Sequence, residues 1–281
     1  MIRKSLLTLI LLFASLAFGC HQSGLPSVAG NDVRPSKESV TRSTPPQTPL
    51  PVTTPTPRVE VRFGKGLRIV PKSVTLENEW SRYRIDIVYP QIEGIKSRQV
   101  SNLNRQIKDL VTARYRWPLS PPTQKDLRHY QKWPGVYNSV DLDYEVVLAT
   151  DELLSLYLNA YHYGIGAAHS VQTSFTVNFD FKSGGLLKLT DLFKADTKSL
   201  GFISRYCTDE LSKDSPYLFK ETLTARAKNY ESWNITKQGI RLNFDACKVD
   251  SCAAGEKRVE ISFAAINDLL KSNGPLNPLL K

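Results

Sequence analysis

The chain has 281 residues and a formal net charge of +10, from 37 Lys and Arg against 27 Asp and Glu. Hydrophobic residues make up 41% and charged residues 23%, which excludes a disordered chain and a polytopic membrane protein. Four cysteines are too few for a disulfide-dense mini-scaffold.

Arg3 and Lys4 form a short basic start, followed by an apolar run from Leu6 to Phe18. That run falls short of the roughly 20 residues of a spanning helix, so residues 1–19 read as an export signal. Its end, Ala17-Phe18-Gly19-Cys20, is similar to the lipobox of bacterial lipoproteins, whose cysteine is diacylated. The alternative is an ordinary secretory signal with a stray cysteine. Residues 20–57 then supply the lipid anchor and a linker, since His21 to Pro57 holds eight of the 17 prolines among many Ser and Thr. With no hydrophobic period it cannot bury a core, and it reads as a spacer of at most roughly 100 Å. His21 after the lipidated cysteine resembles outer-membrane sorting, where the host has two membranes.

The folded part begins near Arg58, and period-2 alternation dominates it. Tyr83, Ile85, Ile87 and Tyr89 oppose Arg82, Arg84 and Asp86 in the first run. A helix is expected over Arg98 to Tyr115, with Val100, Leu103, Ile107 and Leu110 facing the core. Trp117 to Gly135 reads as a long loop. Leu142, Tyr144, Val146 and Leu148 then oppose Asp141, Asp143 and Glu145. Next, Leu154, Leu156 and Leu158 oppose Ser155, Tyr157, Asn159, Tyr161 and Tyr163. Val171 to Phe181 is a further strand, closed by a Lys182-Ser183-Gly184-Gly185 turn. A second helix is expected after Asp196 as N-cap, with Leu200, Ile203, Cys207 and Leu211 inward. Strands through Ile240 to Phe244 and Val259 to Phe263 follow, and a last helix over Ala264 to Lys271 ends at Asn273-Gly274-Pro275. Half-solvated strands with irregularly interposed helices predict an α+β fold of antiparallel sheets with packed helices.

The charge divides the folded part. Residues 58–134 carry 16 Lys and Arg against seven acids, a basic N-terminal subdomain. Residues 135–281 carry 16 against 18 and make up a C-terminal α+β domain. Arg105, Lys108, Arg114 and Arg116 decorate the first helix and suit an anionic envelope polymer, or simply a solvated face. Nucleic acid does not suit an exported protein.

Several motifs carry a family likeness: Tyr163-Gly164-Ile165-Gly166-Ala167-Ala168-His169, then Thr176 to Gly184, Leu189-Thr190-Asp191-Leu192-Phe193, Gly239 to Asp245, and Ala253-Ala254-Gly255. The chain resembles the RsiV/PdaC-type extracytoplasmic domain of unknown function. That domain occurs in a lysozyme-sensing anti-sigma factor and ahead of the catalytic domain of a peptidoglycan deacetylase. Tyr89-Pro90-Gln91-Ile92 and Asn102-Leu103-Asn104 resemble the domain usually found upstream. The resemblance implies a ligand-binding module at the cell envelope. Ser251-Cys252 stands where the family has a Pro-Tyr pair in a ligand-contacting loop, which marks Ser251 and Cys252 as candidate binding residues.

Cys247 and Cys252 enclose four residues, and in an oxidising compartment they are expected to form a disulfide; a zinc site is the rival reading. Cys207 is left as a buried apolar residue. The row Tyr157, Asn159, Tyr161 and Tyr163 is the candidate glycan- or peptide-binding platform, set against simple strand propensity. His169, with Asp180 and Asp191, is the candidate catalytic set of an alternative envelope glycan or ester hydrolase; otherwise His169 caps a turn. No His-Glu-x-x-His, Gly-x-Ser-x-Gly or phosphate loop occurs, and neither a metal nor a cofactor is called for. The expected function is thus that of an exported, lipid-anchored, non-enzymatic module. It would bind or sense peptidoglycan, an anionic envelope polymer or a secreted protein.

Overall fold

The computed structural model describes residues 60–280, apart from 65, 196, 197 and 216. The export signal, Cys20, the linker and the expected N-cap Asp196 lie outside the described residues. Those described fall within one compact unit of mixed α+β structure.

Seven strands form one sheet in chain order: β1 (Val61–Phe63), β2 (Leu67–Asn78), β3 (Tyr83–Glu93), β4 (Asn138–Ala149), β5 (Leu153–Tyr163), β6 (Val171–Asp180) and β7 (Gly185–Leu186). Neighbours are antiparallel except β3 and β4, which run parallel with Asp86 opposite Asp141 and Ile87 opposite Leu142. Helix α1 (Arg98–Tyr115) begins the crossover between them. The compositional step at residue 134 therefore falls inside a single sheet.

Helix α1 has the bounds its sequence predicts. Ser97 caps it by accepting from the Val100 amide at 3.1 Å, and Val100, Leu103, Ile107 and Val111 are buried. The inward residue of the last turn is thus Val111, with Leu110 packed alongside. Asn104 reaches from α1 to the backbone N–H and C=O of Ile92, both at 2.8 Å, and docks the helix onto β3. Helix α1 covers one sheet face, burying Ile85, Ile87, Val140, Leu142, Leu154, Leu156, Leu158 and Phe175.

Two elements depart from the sequence reading. Residues 117–135 hold a 3-10 turn (Trp117–Leu119) and helix α2 (Gln124–Tyr130). A Thr123–Asp126 capping box starts α2, which buries no residue and so has no hydrophobic stripe to read. Strands β1 and β2 also escape the alternation, because β2 contains Pro71 and is largely exposed beyond it.

The C-terminal part adds α3 (Lys198–Ser212) and a second sheet of order β10-β9-β8, from β8 (Trp233–Ile235), β9 (Gly239–Phe244) and β10 (Lys257–Ser262). The last helix, α4, is only Phe263–Ile266, followed by a 3-10 turn. Ile203, Cys207 and Leu211 of α3 pack with Ile240, Leu242, Phe244 and Ile261 in a second core. A bulge in β4 between Val146 and Leu148 sends Leu148 to the face opposite α1, where it joins that core. Among the described residues no helix is long and apolar enough to cross a membrane.

Candidate functional site

The sheet face away from α1 changes character along β5. At one end Leu153 lies in the second core. In the middle is a buried polar seam. Ser155 donates to Asn178 at 2.7 Å and accepts from Asn234 at 2.9 Å, while Asn178 donates to the Trp233 carbonyl at 2.8 Å. Asn243 and Arg241 converge on the Asn234 oxygen at 3.0 and 3.4 Å. Buried polar groups are mostly paired; among the described residues Arg241 Nε and Asn243 Oδ1 are left without a partner, and the bonds that do form lock the small sheet onto β5 and β6.

Beyond the seam the face opens into a cleft of about 360 Å³ lined by Asp86, Asp141, Asp143, Glu145, Tyr157, Asn159, Tyr161 and Arg258. The register explains the grouping. Asp86, Asp141, Tyr161 and Gln172 lie directly opposite one another across β3, β4, β5 and β6. Asp143 and Asn159 form the next row, and Glu145 and Tyr157 the one after.

Tyr157 and Tyr161 differ sharply. Tyr157 is only 3% exposed, with the guanidinium carbons of Arg258 and Arg241 at 4.8 and 5.5 Å from its ring centre. Burial raises its pKa, and Glu256 adds to the shift. Glu145 anchors both arginines, accepting from Arg241 at 3.0 and 3.2 Å and pairing with Arg258 at 3.5 Å. Tyr161 is 44% exposed. Its hydroxyl accepts from Asn159 at 3.1 Å, and Gln172 bridges Asn159 and Glu256 at 3.1 and 2.9 Å. Although partial burial opposes ionisation of Glu256, Arg258 and Gln172 hold its pKa below the usual value. Tyr161 is thus a solvent-facing ring held by a relay through three side chains.

Asp141 is raised above its ordinary 3.8, first by desolvation in the cleft and also by Asp86 opposite, with Ser139 and Arg84 opposing. Thr75 donates to Asp86 and Ser139 to Asp141, at 3.5 and 3.3 Å. The acids Asp86, Asp141, Asp143 and Glu145 were visible in the sequence as solvated strand faces. Their convergence depends on the parallel β3–β4 pairing, which the sequence does not signal.

The other sequence candidates are placed elsewhere. Tyr163 is half-buried at the end of β5 and does not line the cleft. Ser251 and Cys252 are exposed, also outside the cleft, although their loop runs on to Glu256. Cys247 and Cys252 are joined at an S–S distance of 2.13 Å, and Cys207 is a buried free thiol. Asp245 and Glu256 flank that loop and hold Ser174 and Gln172 of β6, at 3.0 Å to the Ser174 amide and 2.9 Å to the Gln172 side chain.

The catalytic set does not assemble. His169 is exposed, with Nδ1 at 3.0 Å from the Ser170 carbonyl. Asp180 lies at the far end of β6, roughly 30 Å away by strand rise, where it accepts from the Lys182 amide at 2.8 Å. Asp191 accepts from the Lys188 amide at 2.8 Å and opens a 3-10 turn. The histidine that secures the glycine turn is His129 of α2, whose Nε2 is 2.8 Å from the Ile165 carbonyl. A side chain at Gly166, where φ is +85°, would meet that ring at 2.9 Å. His162 is half-buried on the α1 face, and its pKa is lowered by desolvation and then by Arg114. Among the described residues no group of three or more His, Cys, Asp or Glu is placed to hold a metal ion.

Residues 76–172 match the family model described as Deacetylase PdaC, and residues 190–264 match a protein family of unknown function, DUF3298. The peptidoglycan-N-acetylmuramic acid deacetylase PdaC of Bacillus subtilis is 26% identical over 202 residues, covering 70% of this chain but only 41% of that relative. Two crystal structures share the fold. A DUF3298 family member from Bacteroides fragilis has TM-score 0.53 at 18% identity, and one from Pseudomonas aeruginosa has 0.50 at 16%. Each match covers 74% of this chain and 94% of the solved one. The chain therefore carries a PdaC-like region, which supplies the acids and tyrosines of the cleft, followed by a DUF3298-like region, which supplies Arg241 and Arg258.

Proposed function

We propose that the protein is a non-enzymatic binding module of the bacterial cell envelope, lipid-anchored at Cys20 and held off its membrane by the Pro-rich linker. Its ligand in this reading is an envelope glycan such as a peptidoglycan fragment. The similarity to a deacetylase whose name specifies peptidoglycan supports the setting. The observation that carries the reading is Tyr161, a solvent-facing aromatic ring held by Asn159, Gln172 and Glu256 in the lining of a small cleft. Flat rings with polar edges, flanked by amides and carboxylates, suit a wet polyhydroxyl ligand. The exposed Arg105, Lys108 and Arg116 supply attraction to an anionic envelope polymer on the side away from the cleft.

Titration of the full chain with soluble peptidoglycan fragments tests the reading. Tyr161→Ala is expected to weaken binding about tenfold, whereas Tyr161→Phe keeps the ring and most of the affinity. Unchanged affinity in Tyr161→Ala would overturn the assignment. Tyr157 is the wrong probe, because its buried ring supports both arginines and its truncation would damage the fold.

A further inference from the structure

We infer that the cleft recognises a protonated primary amine borne on a sugar ring, seated at Asp86 and Asp141 with the ring against Tyr161. The inference rests on the glycan-binding reading and narrows its ligand class.

The register sets the geometry. Asp86, Asp141 and Tyr161 stand opposite one another on three adjacent strands. Neighbouring strands are about 4.8 Å apart, so the backbone positions that carry the carboxylates and the aromatic ring are spaced by roughly the width of one pyranose. A ring lying on Tyr161 thus carries its amino substituent to the acids, while Asn159 is positioned to meet hydroxyl groups. A cleft of about 360 Å³ lies at the small end of the range for compact ligands.

Electrostatics selects the charge. Like charges directly opposite in a sheet are destabilising, yet Asp86 and Asp141 are paired in this way. Among the described residues no ion pair to either is formed; Arg84 attracts Asp141 from a distance but pairs with Glu77 at 2.9 Å, and Arg258 pairs with Glu256 at 2.6 Å. Although Asp141 is solvent-exposed, the cleft around it partly desolvates its carboxylate and adds modestly to the cost of the pair. A local cost retained at a cleft marks a functional demand, and a bound ammonium removes the repulsion through charge-assisted hydrogen bonds. An N-acetylated sugar presents a neutral amide there and leaves the repulsion in place.

The test uses the full chain and four probes: the N-acetylglucosamine tetramer, the glucosamine tetramer, tetralysine and calcium chloride, each followed by calorimetry. The glucosamine tetramer is expected to bind about tenfold more tightly than its acetylated counterpart, the worth of one hydrogen bond to a charged group. Asp141→Asn and Asp86→Asn should each erase that preference while retaining the wild-type circular dichroism spectrum. Equal affinity for the two sugars overturns the amine inference and leaves glycan binding standing. Binding of neither sugar overturns both readings for these glycans. Tetralysine binding as tightly as the glucosamine tetramer overturns the sugar-ring component, and displacement of the glucosamine tetramer by calcium overturns the ammonium.

Discussion

At the scale of single residues, Asp141 joins stability to binding. Its native pKa is raised above 3.8, so the folded protein holds that proton more tightly than the unfolded chain does. Stability therefore falls as pH rises from about 3.8 through the native value, and the penalty persists at neutral pH. Asparagine has no such proton to lose. Asp141 is itself solvent-exposed, so screening keeps the effect small: Asp141→Asn is expected to melt at most about 2 °C higher than wild type at pH 7, with the difference fading below the ordinary carboxyl value, as read by thermal scans across pH. A melting point at pH 7 equal to or below wild type would contradict the strained carboxylate. The acids of β4 and the tyrosines of β5 were legible as alternating residues. The sequence could not show that Arg241 and Arg258 cover Tyr157 while leaving Tyr161 open, because those contacts join residues about a hundred positions apart.

Among the elements, legibility followed burial. Helix α1 is legible to its ends because it has both a cap and a buried stripe, whereas α2 has a cap alone and no apolar period to distinguish it from loop. Strands β4, β5 and β6 alternate because one face packs against α1; β2 does not, because much of it packs against nothing. The loop closed by Cys247 and Cys252 is a local device with a longer reach, since Asp245 and Glu256 on either side hold β6. Replacing both cysteines by serine removes a short-loop crosslink worth roughly 2 kcal/mol in chemical denaturation. It should also weaken glycan binding a few-fold, through looser support of Tyr161. A variant that loses stability with unaltered affinity would separate the loop from the cleft.

Across the whole molecule, the net charge of +10 conceals two opposed faces. Exposed Arg105, Lys108 and Arg116 lie on the α1 side of the sheet, and the carboxylate cleft lies on the other. Sequence counting located the basic segment but not its separation from the acids, because β3 and β4 bring Asp86 of the basic segment beside Asp141. Near an anionic surface such a molecule turns its helix inward and presents the cleft outward. The double change Arg105→Glu and Lys108→Glu should reduce retention on an immobilised anionic polymer at low salt and leave glycan affinity within about twofold. Equal retention would show that the helix face is merely solvated.

The strand order has a consequence for how the protein acquires its shape. Since β1 to β7 follow one another in both sequence and space, each strand pairs with one that has already emerged, and apart from the β3–β4 crossover the loops to be closed are short. The three-stranded sheet, by contrast, must return across long sequence separations to meet β5 and β6. Chain synthesis proceeds from the N-terminus, so a chain folding as it emerges would complete its framework first and its recognition surface last. A molecule halted partway would carry Tyr161 and the acidic row without the Glu256 relay that steadies the ring.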